Sequence, residues 1–253
     1  MNLTWLDSNS WLMEIANKRI LLDPWLVGSL TFGNLPWLFK GEKTKLRPIP
    51  ENIDLILLSQ GLEDHAHPPT LAELERAIPV VASPNGAKVV QELGYKEINI
   101  LKPGEKFVLD QKIEIIAVPG SPIGPQLIEN GYLIKDLSNG YTLYYEPHGY
   151  HSQLIKETSD IDAVITPIVD LKLPILGSVI QGQKSALELC RAVSPQFIIP
   201  TAAGGDVAFE GLLMYLLRTE GTSEQFRDLL VENNLKTQVI DPKPGESFAI
   251  PPL

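Results

Sequence analysis

Apolar residues in this chain come in short bursts, and their spacing changes from one region to the next. Leu3 to Ile15 and Arg19 to Leu22 read as two strands of a hairpin turned at Ala16-Asn17-Lys18 and ended by Asp23-Pro24. The following P-W-L-V-G-S-L-T-F-G-N-L-P-W-L-F-K-G is apolar but broken by Gly28, Gly33 and Pro36, so it fits neither the helical nor the strand period and reads as a structured loop. Ile53 to Leu58 is a buried strand. A short helix is predicted from L-A-E-L-E-R-A-I after Thr70, a strand at Val80 to Ala82, and a helix from the cap Ser83 through Leu93. Between Ile98 and Val118 the signals become short strands, continued at Gly131 to Lys135 and at Tyr141 to Tyr145 across the turn Ser138-Asn139-Gly140.

The last third alternates again. Strands are predicted at Ala163 to Ile168, Phe197 to Pro200, Gln238 to Ile240 and Ser247 to Ile250, and helices at Gln183 to Val193, near Phe209 to Arg218 and at Ser223 to Asn233. Helices at both ends of the sequence with strands between them predict an α/β fold, a four-layer αβ/βα sandwich in which residues 1–253 form a single domain.

Composition narrows the function classes. With 253 residues and 44% hydrophobic content the chain can bury a large core, and no stretch approaches the roughly 18 apolar residues of a membrane span. The start M-N-L-T-W-L-D has no basic or apolar leader, and the single Cys190 precludes an intramolecular disulfide, so a reducing cytoplasm is the expected setting. A net charge of −10 without Lys/Arg clusters argues against nucleic acid as a partner. The same charge counts against peripheral contact with an anionic lipid surface, despite the aromatics of the Trp25 to Phe39 loop. Packing beneath an irregular segment is the plainer role for those rings.

Candidate chemistry is concentrated in two places. S-Q-G-L-E-D-H-A-H-P-P-T, Ser59 to Thr70, follows a buried strand and sets His65 and His67 beside Glu63 and Asp64. The other two of the four histidines, His148 and His151, follow the strand in Y-T-L-Y-Y-E-P-H-G-Y-H. Imidazole and carboxylate at strand ends suit a zinc or iron ion, although histidines also cap helices and satisfy buried carbonyls.

A strand, a loop ending Asp64-His65 and then a helix resembles the metallo-β-lactamase fold superfamily, whose signature is H-x-H-x-D-H. S-N-S-W-L-M-E-I-A-N-K-R-I-L-L-D-P-W-L is similar to the opening of its branch of L-ascorbate-6-phosphate lactonases and N-acylphosphatidylethanolamine phospholipase D-like proteins. The resemblance implies a sandwich fold and metal-dependent hydrolysis, and it also marks departures. Gln60 and Leu62 stand at the first two histidines of the signature, and Ser121 of P-G-S-P at a third. Glu146 or Pro147 stands at the bridging aspartate, and Thr201 or Ala202 near the terminal histidine. The family's first zinc site therefore cannot form, and Gln60, Leu62, Ser121 and Thr201 are expected to line a degenerate cleft.

Two functional readings follow. In one, a single divalent ion, zinc by its donor set, is held by Asp64, His65 and His148, while Glu146 or His67 acts as general base in hydrolysing a small ester, lactone or phosphoester. There the helix opening at Pro68 would turn its positive end toward an anionic substrate. In the other, the chain is a metal-free protein that uses the same cleft to bind a small molecule or to regulate. Neither reading fixes an oligomeric state.

Overall fold

The computed structural model describes residues 1–123, 127–174 and 177–251. The chain divides into two units: residues 1–102, 204–215 and 242–253 form the first, and residues 103–203 and 216–241 the second.

In the first unit β1 (Asn2–Trp5), β2 (Trp11–Ile15) and β3 (Lys18–Leu22) form an antiparallel meander. The single strand expected from Leu3 to Ile15 is thus two. Asp7 and Ser8 adopt left-handed φ of 77° and 51°, and the corner closes with Leu6 N donating to Ser10 O. The predicted turn takes the form that Asn17 favours, with Ala16 and Asn17 both at positive φ between Ile15 and its partner Lys18.

β3 then pairs in parallel with β6 (Leu55–Leu58), β6 with β7 (Val80–Ala82), and β7 with β8 (Ile98–Ile100). The strand Ser247–Ala249 adds to β1 and completes seven. Parallel strands covered on both faces read as continuous apolar runs, and all four residues of β6 are buried. Helix α1 (Pro68–Glu73) follows β6, and α2 (Pro84–Glu92) follows β7 with Ser83 as its N-cap, as predicted. They pack Leu71, Ala87 and Val90 against Ile56, Leu58, Val80 and Ala82.

A smaller sheet joins β4 (Leu30–Thr31), β5 (Lys40–Lys43) and the strand Val207–Glu210. The helix expected near Phe209 to Arg218 is therefore confined to Leu212–Leu216, because Phe209 is drawn into pairing with Gly41. That pairing also settles most of the aromatic loop. Trp25 is fully buried, and the rings of Phe32, Phe39 and Phe209 follow one another at 5.0 and 5.6 Å. Trp37, 64% exposed, is the exception.

The second unit repeats the plan in its own order. β9 (Lys106–Leu109), β10 (Ile113–Ile123), β11 (Leu127–Asp136) and β12 (Thr142–Tyr145) are antiparallel. β13 (Ala163–Ile165), β16 (Phe197–Ile199) and the strand Gln238–Val239 then extend the sheet in parallel. β14 (Asp170–Leu173) pairs with β15 (Gly177–Ile180) and with Arg218–Glu220 in a second small sheet. α3 (Gln153–Lys156), α4 (Gln183–Val193) and the helix Ser223–Glu232 supply Ile155, Leu189, Cys190, Phe226 and Leu230 to a core shared with Val118, Tyr144, Val164 and Ile198. Among the described residues no helix is long and apolar enough to cross a membrane.

Candidate metal centre

In the first unit the candidate loop begins where β6 stops. Parallel pairing of Leu22 with Leu57 sets Asp23 beside Ser59, and the Asp23 carboxylate accepts from Ser59 N at 2.7 Å and from the Ser59 hydroxyl. Asp23 itself sits at φ 43°, and its own N–H reaches Leu57 O. The chain then tightens past Gly61, where a side chain would meet the Asn85 carbonyl at 2.6 Å, and turns so that His65 N and Ala66 N both donate to Leu62 O.

His65 arrives fully buried between two aspartates. Its Nδ1 lies 2.8 Å from Asp23 Oδ2, and its Nε2 lies 3.1 Å from Asp64 Oδ2. Burial opposes a proton on this ring, but Asp64 and Asp23 together outweigh it and hold His65 well above the ordinary histidine range. Asp23 thereby fixes the ring so that the opposite nitrogen faces Asp64, which is how an outer carboxylate orients a ligating imidazole.

His67 does different work. It is the N-cap of α1, with Nδ1 accepting from Thr70 N and lying 3.0 Å from Thr70 Oγ1 while Nε2 reaches Ser29 O at 3.2 Å. Burial, opposed by the Ser29 carbonyl and assisted by Lys43, brings it down to about 4, so the ring is neutral. With both nitrogens committed, His67 is a strut, and the general-base role expected of it does not suit this geometry. The anion site expected at α1 also falls away, since the helix has six residues and its capped Thr70 N–H is already used. Of the departed signature positions, Gln60 is buried whereas Leu62 is 44% exposed.

In the second unit three groups converge. Extending the β11–β12 register beyond Tyr132 and Tyr145 brings Glu129 opposite His148, and Glu129 Oε1 accepts from His148 Nδ1 at 2.7 Å. A β-bulge between Pro119 and Pro122 of β10 sets Gly120 and Ser121 against Glu129, with Ser121 N donating to Glu129 Oε1 at 3.1 Å. Ser121 thus serves through its backbone. Glu146 follows β12 directly, and its Oε2 accepts from His148 N (3.2 Å) and Tyr150 N (2.7 Å). Glu129 and Glu146 are both fully buried, and Glu146 is held well above the usual carboxylate range by burial first and then by Glu129. One ligand atom from each of Glu129, Glu146 and His148 lies within 4.8 Å of the others.

His151 is the counterpart of His67. Buried, with Nδ1 3.2 Å from the Tyr144 hydroxyl, it is pushed down to about 3 by burial and by Lys156. Thr201, also buried, follows β16.

Sequence reasoning named Asp64, His65, Glu146 and His148 but missed Asp23 and Glu129. The signals were present: an aspartate ending the strand in I-L-L-D-P, and a glutamate inside the stretch L-I-E-N-G-Y-L-I.

Comparison with known proteins places these features in a family. The sequence model of the β-lactamase superfamily domain matches residues 2–202, which include both histidine loops. A UPF0173 metal-dependent hydrolase of Thermodesulfovibrio yellowstonii is 26% identical, with 98% of this chain and 91% of that protein aligned. The crystal structure of isothiocyanate hydrolase from Delia radicum gut bacteria superposes with a TM-score of 0.74 at 16% identity, covering 100% of both chains. A possible metal-dependent hydrolase from Veillonella parvula gives 0.74 at 15% identity over 99% of each. The fold is mixed α/β and metallo-β-lactamase-like.

Proposed function

The chain belongs to the β-lactamase superfamily, and on that premise we propose that it is a metal-dependent hydrolase of a small ester, lactone or phosphoester, holding one divalent ion, zinc by preference, with Asp64 and His65 among its ligands. The observation that carries this reading is the run Asp23–His65–Asp64, in which a buried carboxylate fixes one ring nitrogen and turns the other toward an aspartate oxygen. Carboxylate oxygen and imidazole nitrogen are the donors that zinc, iron and manganese share, so the residues present fit such an ion once it displaces the proton that Asp64 and Asp23 favour on His65.

When bound, the ion would supply acidified water and polarisation of the scissile carbonyl or phosphoryl. The remaining work falls to side chains. Asp23 orients His65 and, with Ser59, fixes the loop. Glu146, held above the usual carboxylate range by burial and by Glu129, is the group assigned to proton transfer between an attacking water and a leaving oxygen. The departures at Gln60, Leu62, Ser121 and Thr201 leave a site narrower in its ligands than the family signature.

The test is metal analysis of protein purified without chelator or affinity tag, followed by turnover of an aryl ester, a lactone and an aryl phosphodiester with and without EDTA. The reading requires bound metal and at least one EDTA-sensitive activity lost in Asp64→Asn. Metal-free protein that stays inert after zinc or manganese is added would favour the metal-free binding reading instead.

A further inference from the structure

We infer that Glu129, Glu146 and His148 form a cation site of their own in the second unit, selective for a divalent ion that accepts mixed oxygen and nitrogen ligands, such as Mn²⁺ or Zn²⁺. It goes beyond the hydrolase reading, in which Glu146 moves a proton and is not a ligand.

The first observation is an oxygen without a donor. Glu146 is fully buried, its Oε2 is covered by the amides of His148 and Tyr150, and its Oε1 meets no hydrogen-bond donor among the described residues. Pairing with Glu129 cannot satisfy it while both carboxyls are ionised, since each is then an acceptor. No cationic side chain forms an ion pair with Glu146 among the described residues. A buried carboxylate in that position calls for a proton or a cation. A divalent ion would take an oxygen from each carboxylate and an imidazole nitrogen, and one such atom of each residue already lies within 4.8 Å of the other two.

The second observation is that the backbone is shaped around these three side chains. At Gly120, in the bulge opposite Glu129, a Cβ would stand 2.9 Å from Glu129 Cγ, so a larger residue would displace the glutamate stem. Gly149, directly after His148, sits at φ +75° and would drive a Cβ to 1.7 Å from Gln181 O, while Gln181 N donates to His148 O at 2.8 Å. Two glycines thus fix the strand bulge and the turn that carry the ligands, as a site set in advance of its ion requires. Its donor set, two hard oxygens with one nitrogen, suits manganese, iron or zinc better than a thiolate-seeking ion.

The experiment is calorimetric titration of MnCl2 and ZnCl2 into the full chain, stripped of metal and dialysed, for wild type, Glu129→Gln, Glu146→Gln and Asp64→Asn. Wild type should bind an equivalent that each glutamine variant binds about tenfold more weakly or worse, and Asp64→Asn, which removes a ligand only of the hydrolase reading's ion, should retain it. Because a glutamine variant could fold poorly, Mn²⁺ is also added to wild-type protein with isotope-labelled histidine, where the His148 ring signal should broaden below one equivalent. Wild-type-like titration of Glu129→Gln, or a sharp His148 signal at one equivalent, overturns the site. Failures separate cleanly from those of the hydrolase reading. Chelator-sensitive turnover lost in Asp64→Asn with unaltered ion binding in Glu129→Gln removes this site alone. Loss of the equivalent in Glu129→Gln, with none of the substrates turned over, removes the hydrolase alone.

Discussion

The two histidine loops follow strand ends in different units, yet they divide labour in the same way. In each, the histidine nearer the strand meets carboxylates, His65 between Asp23 and Asp64 and His148 against Glu129. In each, the later one is a buried neutral strut, His67 capping α1 and His151 against Tyr144. The loops differ in where the carboxylate comes from. Asp23 reaches His65 from a parallel neighbour, whereas Glu129 reaches His148 from an antiparallel one. The lesson is that spacing along the sequence does not sort ligand from strut. The adjacent strand does.

The sharpest way to break the comparison is Asp23→Ala. It strips a carboxylate from Ser59 N, the Ser59 hydroxyl and His65 Nδ1, all buried, so a loss of about 3–5 kcal/mol in urea unfolding is expected, as for one partner removed from a buried pair. A loss below about 1 kcal/mol would mean that Asp23 does not hold the loop together.

The next effect is a pH dependence. His151 lies near 3 when folded, below its unfolded value of about 6.5, so between those limits the unfolded chain binds a proton that the folded chain refuses. Stability from the neutral ring is therefore present above about pH 6.5 and falls as pH drops toward 3. At about 1.4 kcal/mol per unit, wild type should lose about 2 kcal/mol more than His151→Gln between pH 7 and pH 5. Glutamine keeps a partner for Tyr144 but does not titrate, and parallel stability curves for the two proteins would refute the strut assignment.

The smallest effect tests the other strut. His67→Ala should cost about 1 kcal/mol, the usual worth of an N-cap, and His67→Asn should recover most of it with unchanged metal content. Metal lost in His67→Asn would return His67 to the ligand set.

These assignments show what the sequence could and could not disclose. Elements specified locally were legible: the Asn17 turn, the Ser83 cap and helix α4 over Gln183–Val193. The break at Asp7-Ser8 was not, because the buried Asp7 carboxylate is held by Lys43, Arg47 and the Asp206 amide, all remote in sequence. Val207–Glu210 was hidden for the same reason, since its partner β5 lies far back in the chain. The candidate site divides along this line. Asp64, His65 and His148 carry their chemistry in their residue type and place at strand ends, whereas Asp23 and Glu129 acquire theirs from strand pairing. His67 and His151 look like ligands in one dimension and become struts once burial is known.

Cys190, packed into the second unit's core from α4, gives that unit a built-in clock. Burial pushes its thiol up to about 12, so the folded protein presents almost no thiolate to an alkylating reagent. The chain has no other cysteine. Labelling under native conditions therefore proceeds only through openings that expose α4, and its rate measures how often the second unit breathes while the first stays silent. Adding Mn²⁺ or Zn²⁺ during labelling turns that clock into a reporter of ion binding, because an ion held by Glu129, Glu146 and His148 makes those openings rarer and slows the modification.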